Sequence, residues 1–212
     1  MKFTKFLITI IFIIIKLKQL DGHGALMDPV NRKSAWRKGF PTPEEYTDNE
    51  NFCGGRDVQH LINNGKCGIC GDDYRLPIPR PSENTGEYGL GIIVQTYYSG
   101  EVINTITNLT ASHKGAFKFS LCPLETSKQL EKEECFMPLK LADGTNQYEI
   151  GESPAGIFQA QVKLPDQLTC KNCVFRWEYI TGNTWGDCNG TSEKNDCAPQ
   201  ETFRGCSDIT VI

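Results

Sequence analysis

Ten cysteines constrain this chain more than any other feature of its sequence. An even number of cysteines in a secreted chain is typical of a disulfide framework. Two pairs have the Cys-x-x-Cys spacing, which also suits zinc, but they lie much farther apart than the about 15–20 residues that separate the pairs of a zinc ribbon. We therefore expect up to five disulfides, with Cys122 bonded to Cys135 and the other pairings left open. The cysteines are Cys53, Cys67, Cys70, Cys122, Cys135, Cys170, Cys173, Cys188, Cys197 and Cys206.

The N-terminus indicates secretion. A basic start, MKFTK, precedes an unbroken apolar run from Phe6 to Ile15, which is too short to span a bilayer and suits a signal peptide. A membrane anchor is the alternative, because two lysines follow the run closely. We predict a signal peptide over residues 1–22 and a single mature domain over residues 23–212.

The charge of the mature chain limits its partners. Removal of residues 1–22 takes away four lysines and one aspartate, so that the formal charge of −4 becomes −7. An acidic protein is a poor partner for nucleic acid or an anionic membrane, and we expect neither. Two sequons, at Asn108 and Asn189, are candidate glycosylation sites that agree with secretion. We expect a monomer.

The hydrophobic pattern predicts an all-β fold. Residues 23–52 lack a clear period and are interrupted by prolines, so we expect a long extended loop with short turns. Gly54 to Asn64 is the best helix candidate, with Val58, Leu61 and Ile62 spaced to form one apolar face. Six or so short strands and turn-rich loops then predict a disulfide-stapled antiparallel β-sandwich with long loops and a short helix. The strand candidates are Leu90–Tyr98, Val102–Leu109, Gly115–Leu121, Gly156–Leu164, Cys173–Ile180 and Phe203–Ile212.

The histidines point to a metal. Cleavage after Gly22 would place His23 at the N-terminus, where its α-amino group and Nδ1 can chelate one ion. His113 lies in a turn between two predicted strands, where loops often carry functional groups, and it offers a third nitrogen. Such a set of nitrogens in a planar T favours copper over zinc. We expect His60, among polar residues in the predicted helix, to be solvated or to cap the helix.

Five stretches of the chain resemble the lytic polysaccharide monooxygenases, and most closely auxiliary activity family 15. They span nearly the whole mature chain in the right order. The resemblance implies an immunoglobulin-like or fibronectin-like sandwich and a histidine brace that holds one copper ion. The stretches are HGALMDPVNRKSAWRKGF at 23–40, NFCGGRDVQHLINNGKCGICGDDY at 51–74, LTASHKGAFKFSLCP at 109–123, CVFRWEYITGNTWGDC at 173–188 and PQETFRGCSDITV at 199–211.

The same resemblance assigns roles to individual residues. The metal ligands are His23 and His113, and Phe203 takes the axial position where many relatives carry tyrosine, although it is equally a candidate core residue. Ala111 corresponds to a small residue on the other axial side, and Glu201 or Gln200 to the polar group that positions the oxygen species. Tyr46 is our candidate for a protruding aromatic that stacks on a sugar ring, with an ordinary loop tyrosine as the alternative.

The resemblance therefore predicts a secreted copper monooxygenase that cleaves crystalline chitin, or cellulose as a second choice. It implies an external electron donor and O2 or H2O2 as co-substrate. A non-catalytic chitin- or carbohydrate-binding protein on the same sandwich is one alternative, and a secreted structural disulfide module without a metal is another. A mature N-terminus other than His23 would favour these two alternatives.

Overall fold

The computed structural model describes residues 22–182, 186–188, 191–194 and 198–212. The predicted signal peptide (apart from Gly22), the sequon at Asn189 and the side chains of Cys188 and Cys197 lie outside the described residues. The strands are β1 (His23–Asp28), β2 (Gln95–Tyr97), β3 (Val102–Ala111), β4 (Gly115–Leu124), β5 (Met137–Pro138), β6 (Lys140–Leu141), β7 (Tyr148–Ile150), β8 (Gly156–Lys163), β9 (Cys170–Ile180), β10 (Gly186–Cys188), β11 (Thr191–Lys194) and β12 (Thr202–Val211).

The strands form a β-sandwich. One sheet has the order β1-β3-β8-β6, and the other has the order β2-β12-β9-β4-β5 with β7 paired to β4. Strands β10 and β11 pair separately, and the pairing is antiparallel except that β2 runs parallel to β12. The predicted sandwich is confirmed.

The core lies between the two sheets and is rich in aromatic residues. In β4, Phe117, Phe119 and Leu121 are buried while Lys118 is exposed, as the period-2 pattern predicts. The central strands β9 and β12 add Trp177, Tyr179, Phe203 and Ile209, and the other sheet adds Leu26, Ile103, Leu109 and Val162. The space between the two sheets is therefore filled by a closely packed aromatic core.

Four disulfides staple the described residues: Cys53–Cys67, Cys70–Cys206, Cys122–Cys135 and Cys170–Cys173. The predicted Cys122–Cys135 pairing is confirmed. The two Cys-x-x-Cys pairs behave differently, because Cys170 bonds to Cys173 whereas Cys67 and Cys70 bond to distant partners. All four of these sulfurs are in disulfides, which removes them as zinc ligands.

Three sequence expectations differ from the structure. Residues 23–52 begin with strand β1 and contain a 3₁₀-helix at Arg32–Lys38. Within the strand expected over Leu90–Tyr98, only the residues of β2 form a strand. Gly91, earlier in this stretch, has a left-handed conformation at φ 67°. The helix expected over Gly54–Asn64 is a short π-helix at Val58–Ile62, and the described residues contain one more short helical element, a 3₁₀-turn at Glu133–Cys135.

The π-helix also presents an unexpected face. Leu61 and Ile62 are 77% and 57% exposed, so the predicted apolar face does not point into the core. Polar contacts orient the helix instead, because the Gln59 amide donates to Thr202 Oγ1 and His60 Nε2 lies 2.8 Å from the Gln200 carbonyl oxygen. None of the helices in the described ranges is both long and apolar enough to cross a membrane.

A buried ion cluster ties the long N-terminal loops to the six-stranded sheet. The Arg32 guanidinium donates two hydrogen bonds to Asp208, at 2.9 and 2.6 Å, and one to Glu131 at 2.6 Å. The Arg32 side chain is 3% exposed, and Arg32 also donates to the Ser82 carbonyl oxygen. One cation thus joins three separate segments of the chain.

Candidate metal centre

The register of β1 and β3 brings two histidines together. These strands are antiparallel, and His23 at the start of β1 lies opposite Ala111 at the end of β3. His113 follows two residues later, in the turn that leads to β4. Antiparallel pairing therefore places the first histidine of β1 and the histidine of the β3–β4 turn at the same end of the sandwich.

The hydroxyl group of Tyr179 holds the turn that carries His113. The Tyr179 hydroxyl accepts a hydrogen bond from the His113 main-chain N–H at 2.9 Å and donates one to the Lys114 carbonyl at 2.8 Å. Gly182 N–H donates to the His113 carbonyl at 2.9 Å. Burial raises the pKa of Tyr179 to about 12, so the phenol, which is protonated at neutral pH in any case, keeps its proton well into the alkaline range.

The turn also requires a glycine. Gly115 has φ 97°, a left-handed conformation that glycine adopts without steric cost. A Cβ at this position would lie 2.0 Å from the Ile180 carbonyl oxygen, so the turn approaches β9 as closely as a backbone can. This close approach is what allows the Tyr179 hydroxyl to reach both sides of the turn.

The main chain in front of His23 lies against the His113 ring. A Cβ added to Gly22 would meet His113 Cδ2 at 2.8 Å and Phe203 Cε2 at 3.1 Å. The main-chain nitrogen of His23 is only two bonds from the Gly22 Cα, so it lies near both rings. Gly22 N–H itself donates to Glu201 Oε2 at 3.2 Å. One small volume is thus bordered by the His23 nitrogen, the His113 ring, Phe203 and the Glu201 carboxylate.

Phe203 belongs to this volume and to the core at once. Its side chain is fully buried, and its ring stacks on Tyr179 and Phe52 at centroid distances of 5.7 and 6.1 Å. The two sequence interpretations of Phe203, a core residue and a neighbour of the histidines, therefore describe the same ring. Ala111 belongs to the other sheet, where it lies opposite His23 and is half-buried at the end of β3.

The His23 ring is oriented by a contact on its outer side. His23 Nε2 lies 3.4 Å from Glu50 Oε1. Nε2 is the nitrogen that a chelate with the α-amino group does not use, because the six-membered ring closes through Nδ1. The orientation therefore suits metal binding through the main-chain nitrogen and Nδ1.

The family is decided by comparison with known proteins. Residues 23–209 match the model of a family described as lytic polysaccharide mono-oxygenase, cellulose-degrading. This chain belongs to the lytic polysaccharide monooxygenase family. It is a copper-dependent polysaccharide monooxygenase. The search of curated proteins finds no match to it.

One solved structure agrees with this assignment. The monooxygenase is 44% identical to the lytic polysaccharide monooxygenase AA15 from Thermobia domestica in the Cu(I) state, with a TM-score of 0.87 over 89% of this chain and 98% of that chain. Two others share only 15% identity over 89% of this chain. One is the cellulose-active monooxygenase CelS2 in complex with copper, with 98% of that chain covered and a TM-score of 0.45. The other is an AA10 monooxygenase from Streptomyces lividans, with 99% of that chain covered and a TM-score of 0.49.

The donor set of the monooxygenase fits copper. Nitrogen ligands suit copper among the first-row metals, and the His23 main-chain nitrogen and the His113 ring lie together at one end of the sandwich. A second cluster in the described residues, Cys70, Glu131 and Cys206, offers no comparable set. Both of its sulfurs are joined in a disulfide, and its carboxylate is paired with Arg32.

The remaining predicted residues take different positions. Gln200 contributes its main chain, because its carbonyl oxygen meets His60 Nε2, so His60 is a structural partner of the 198–202 segment. Tyr46 is 70% exposed, contacts the edge of Trp36 at 5.0 Å and donates to a Glu44 carboxylate oxygen. It protrudes as predicted and also packs on a neighbouring ring.

Two residues at the site were missed from the sequence. Tyr179 falls in the strand predicted over Cys173–Ile180, where its ring is buried in the core, but that pattern does not indicate that its hydroxyl holds the His113 turn. Glu50 was given no role, although it contacts the first histidine. No local signal marks Glu50, since its importance depends on which loop meets the start of β1.

Proposed function

We propose that the monooxygenase is secreted, that residues 1–22 are removed, and that His23 and His113 then hold one copper ion. The observation that carries this proposal is the meeting of the His23 main chain with the His113 ring. Cleavage after Gly22 would convert an amide nitrogen at that point into an amine, which can bind a metal. It would also remove the residue that lies against His113 and Phe203.

The protein groups around the metal have distinct tasks in this proposal. The copper, when bound, supplies the one-electron chemistry by which O2 or H2O2 oxidises a C–H bond beside a glycosidic oxygen. Phe203 would border the metal with a ring that cannot ligate, so that side of the site would stay apolar. The carboxylate of Glu201 is the hydrogen-bonding group that holds a polar co-substrate in place. Electrons come from an external small-molecule donor.

The substrate we propose is chitin, with cellulose as the second choice, and the protein acts as a monomer. The family model is described as cellulose-degrading, and CelS2 is cellulose-active, so both polymers are tested. Tyr46 supports binding to a polymer surface, because its exposed ring is held by Trp36 and Glu44 and aromatic faces stack well on apolar surfaces.

The first experiment defines the N-terminus and the metal. Mass spectrometry of the secreted protein should find His23 as its first residue, and titration should show one tight Cu(II) per chain with nitrogen couplings in its paramagnetic resonance spectrum. His113→Ala should weaken copper binding severely, whereas His60→Ala, the matched control, should change it little. Equal losses in the two variants, or a mature chain starting at another residue, would refute the proposed site.

The second experiment concerns the reaction. With ascorbate and peroxide, the copper-loaded protein should release soluble oligosaccharides with oxidised ends from chitin or cellulose. Comparison of the two polymers at equal loading decides the substrate. Release of hydrolytic ends alone, or binding to chitin that is indifferent to a copper chelator and gives no products, would contradict the proposed reaction.

A further inference from the structure

The segment Asn49–Glu50 is fastened to the start of β1. The Asn49 carbonyl accepts a hydrogen bond from Gly24 N–H at 3.0 Å, and its side-chain amide donates to Thr110 Oγ1 at 2.9 Å. Thr110 Oγ1 in turn donates to the His23 carbonyl at 3.4 Å. The loop is therefore bonded directly to the residue after His23, and through Thr110 it reaches the carbonyl of His23 itself.

Glu50 extends this fastening to the imidazole. Its main chain is fixed on both sides, because its N–H donates to Thr47 and its carbonyl accepts from Phe52 N–H at 2.9 Å. The carboxylate then lies 3.4 Å from His23 Nε2, with the His23 and Glu50 side chains 32% and 40% exposed. A carboxylate held on a fixed loop thus faces the ring nitrogen that points away from the metal centre.

We propose that Glu50 is a positioning residue for the copper site. This inference rests on the proposed function. When Nδ1 binds the metal, the proton of a neutral imidazole must lie on Nε2, and Glu50 is placed to accept that proton's hydrogen bond. A carboxylate in this position fixes the ring orientation and makes the ligating nitrogen more basic. A more basic nitrogen stabilises Cu(II) relative to Cu(I).

The size of the effect follows from the geometry. Removing a carboxylate that is hydrogen-bonded to a ligating histidine typically lowers metal affinity by about 10–100-fold. The contact here is longer than a good N–H···O bond, and both groups are partly open to solvent, which screens their interaction. We therefore expect Glu50→Gln to lower Cu(II) affinity measurably, by up to about tenfold. We also expect it to raise the reduction potential of the bound copper.

The test uses the processed protein and inorganic copper. Competition with a chelator gives the Cu(II) affinity, a redox titration gives the potential, and paramagnetic resonance gives the ligand field. Glu44→Gln is the matched control, because it removes the same charge from the same loop while Glu44 contacts Tyr46. The melting temperature of the copper-free variants should stay near that of the parent, which separates the effect from a loss of folding.

The outcomes separate this inference from the proposed function. Weaker Cu(II) binding with a raised potential in Glu50→Gln, and neither change in Glu44→Gln, supports it. Parent-like affinity and potential in Glu50→Gln overturns it, as do equal changes in the two variants, which would indicate a general effect of charge. A parent protein that starts at His23 and binds no copper tightly would instead overturn the proposed function.

Discussion

The hydroxyl of Tyr179 offers a direct test of how the His113 turn is held. The variant Tyr179→Phe keeps the buried ring and its stacking on Phe203 but removes one oxygen. The His113 N–H and the Lys114 carbonyl then lose the partner that they share. Leaving such groups unsatisfied costs about 1–3 kcal/mol. Because the turn is half-buried, we expect a loss of about 2 kcal/mol at neutral pH, or about 4–8 °C in melting temperature for a domain of this size.

The pH dependence of that loss follows from the pKa of the phenol. Burial raises the pKa of Tyr179 to about 12, above the unfolded value of about 10. A raised pKa contributes stability that is complete below pH 10 and is lost as the pH rises through 12. A rise of about two in the pKa corresponds to about 2.7 kcal/mol of folding stability, which is an order-of-magnitude figure. The phenylalanine variant has no such contribution to lose, so the difference between the two proteins should close by about pH 12.

Urea unfolding at pH 7.5 and at several values between pH 9.5 and 12 measures both effects. Tyr148→Phe is the matched control, because Tyr148 stacks on the core residue Phe117 at 5.9 Å; it should be nearly as stable as the parent at pH 7.5. The copper affinity of Tyr179→Phe should also fall, since the loosened turn carries His113. A Tyr179→Phe variant that is as stable as the parent at pH 7.5, or a difference that stays constant up to pH 12, would refute the reasoning.

Three further results are expected. Arg32→Met should cost about 3–5 kcal/mol in urea unfolding, because Asp208 and Glu131 stay buried without their cation; a smaller loss than in an exposed Arg75→Met control would contradict this. Phe203→Tyr should keep the copper and change its paramagnetic resonance spectrum, since the added phenol oxygen would lie near the proposed metal site, and an unchanged spectrum would show that Phe203 does not border the metal. Asn108→Gln should remove one N-glycan from the secreted protein by mass, since Asn108 lies on the outward side of β3; an unchanged mass would show an unmodified site.

Strands with a regular alternation were predictable from the sequence. Five of the six predicted strands, from the one at Val102–Leu109 onwards, are found with small changes at their ends. Their pattern is local, because each residue's side follows from its neighbours along the chain. The strand at Gly115–Leu121 shows this best, with each phenylalanine directed into the core.

Features that depend on distant partners were not predictable in the same way. Strand β1 exists because β3 supplies its hydrogen bonds from far along the chain, and the stretch HGALMD has no period of its own. The partner of Cys70 is Cys206, 136 residues away, although Cys67 lies much closer. Leu61 and Ile62 have helical spacing, but the polar contacts of Gln59 and His60 decide which side of the helix faces inward.

In the candidate site, too, some residues could be predicted from the sequence and others could not. The two histidines could be chosen because there are only three in the chain and one follows the predicted cleavage point. The groups that contact them could not, since the Tyr179 hydroxyl reaches the His113 main chain from the neighbouring strand β9 and Glu50 reaches His23 from a separate loop. Such contacts depend on the tertiary register, which residue spacing does not contain.

If residues 1–22 are removed as proposed, the position of Gly22 would make that cleavage an activation step. While the leader is attached, the His23 nitrogen is an amide, and the Gly22 main chain fills the space beside His113 and Phe203. A chain that keeps Gly22 would therefore lack the amine ligand, and we expect it to bind copper far more weakly than a chain that starts at His23. We expect a recombinant protein with one extra residue before His23 to melt normally and give no reaction, so a folding assay would not detect the loss of the amine ligand.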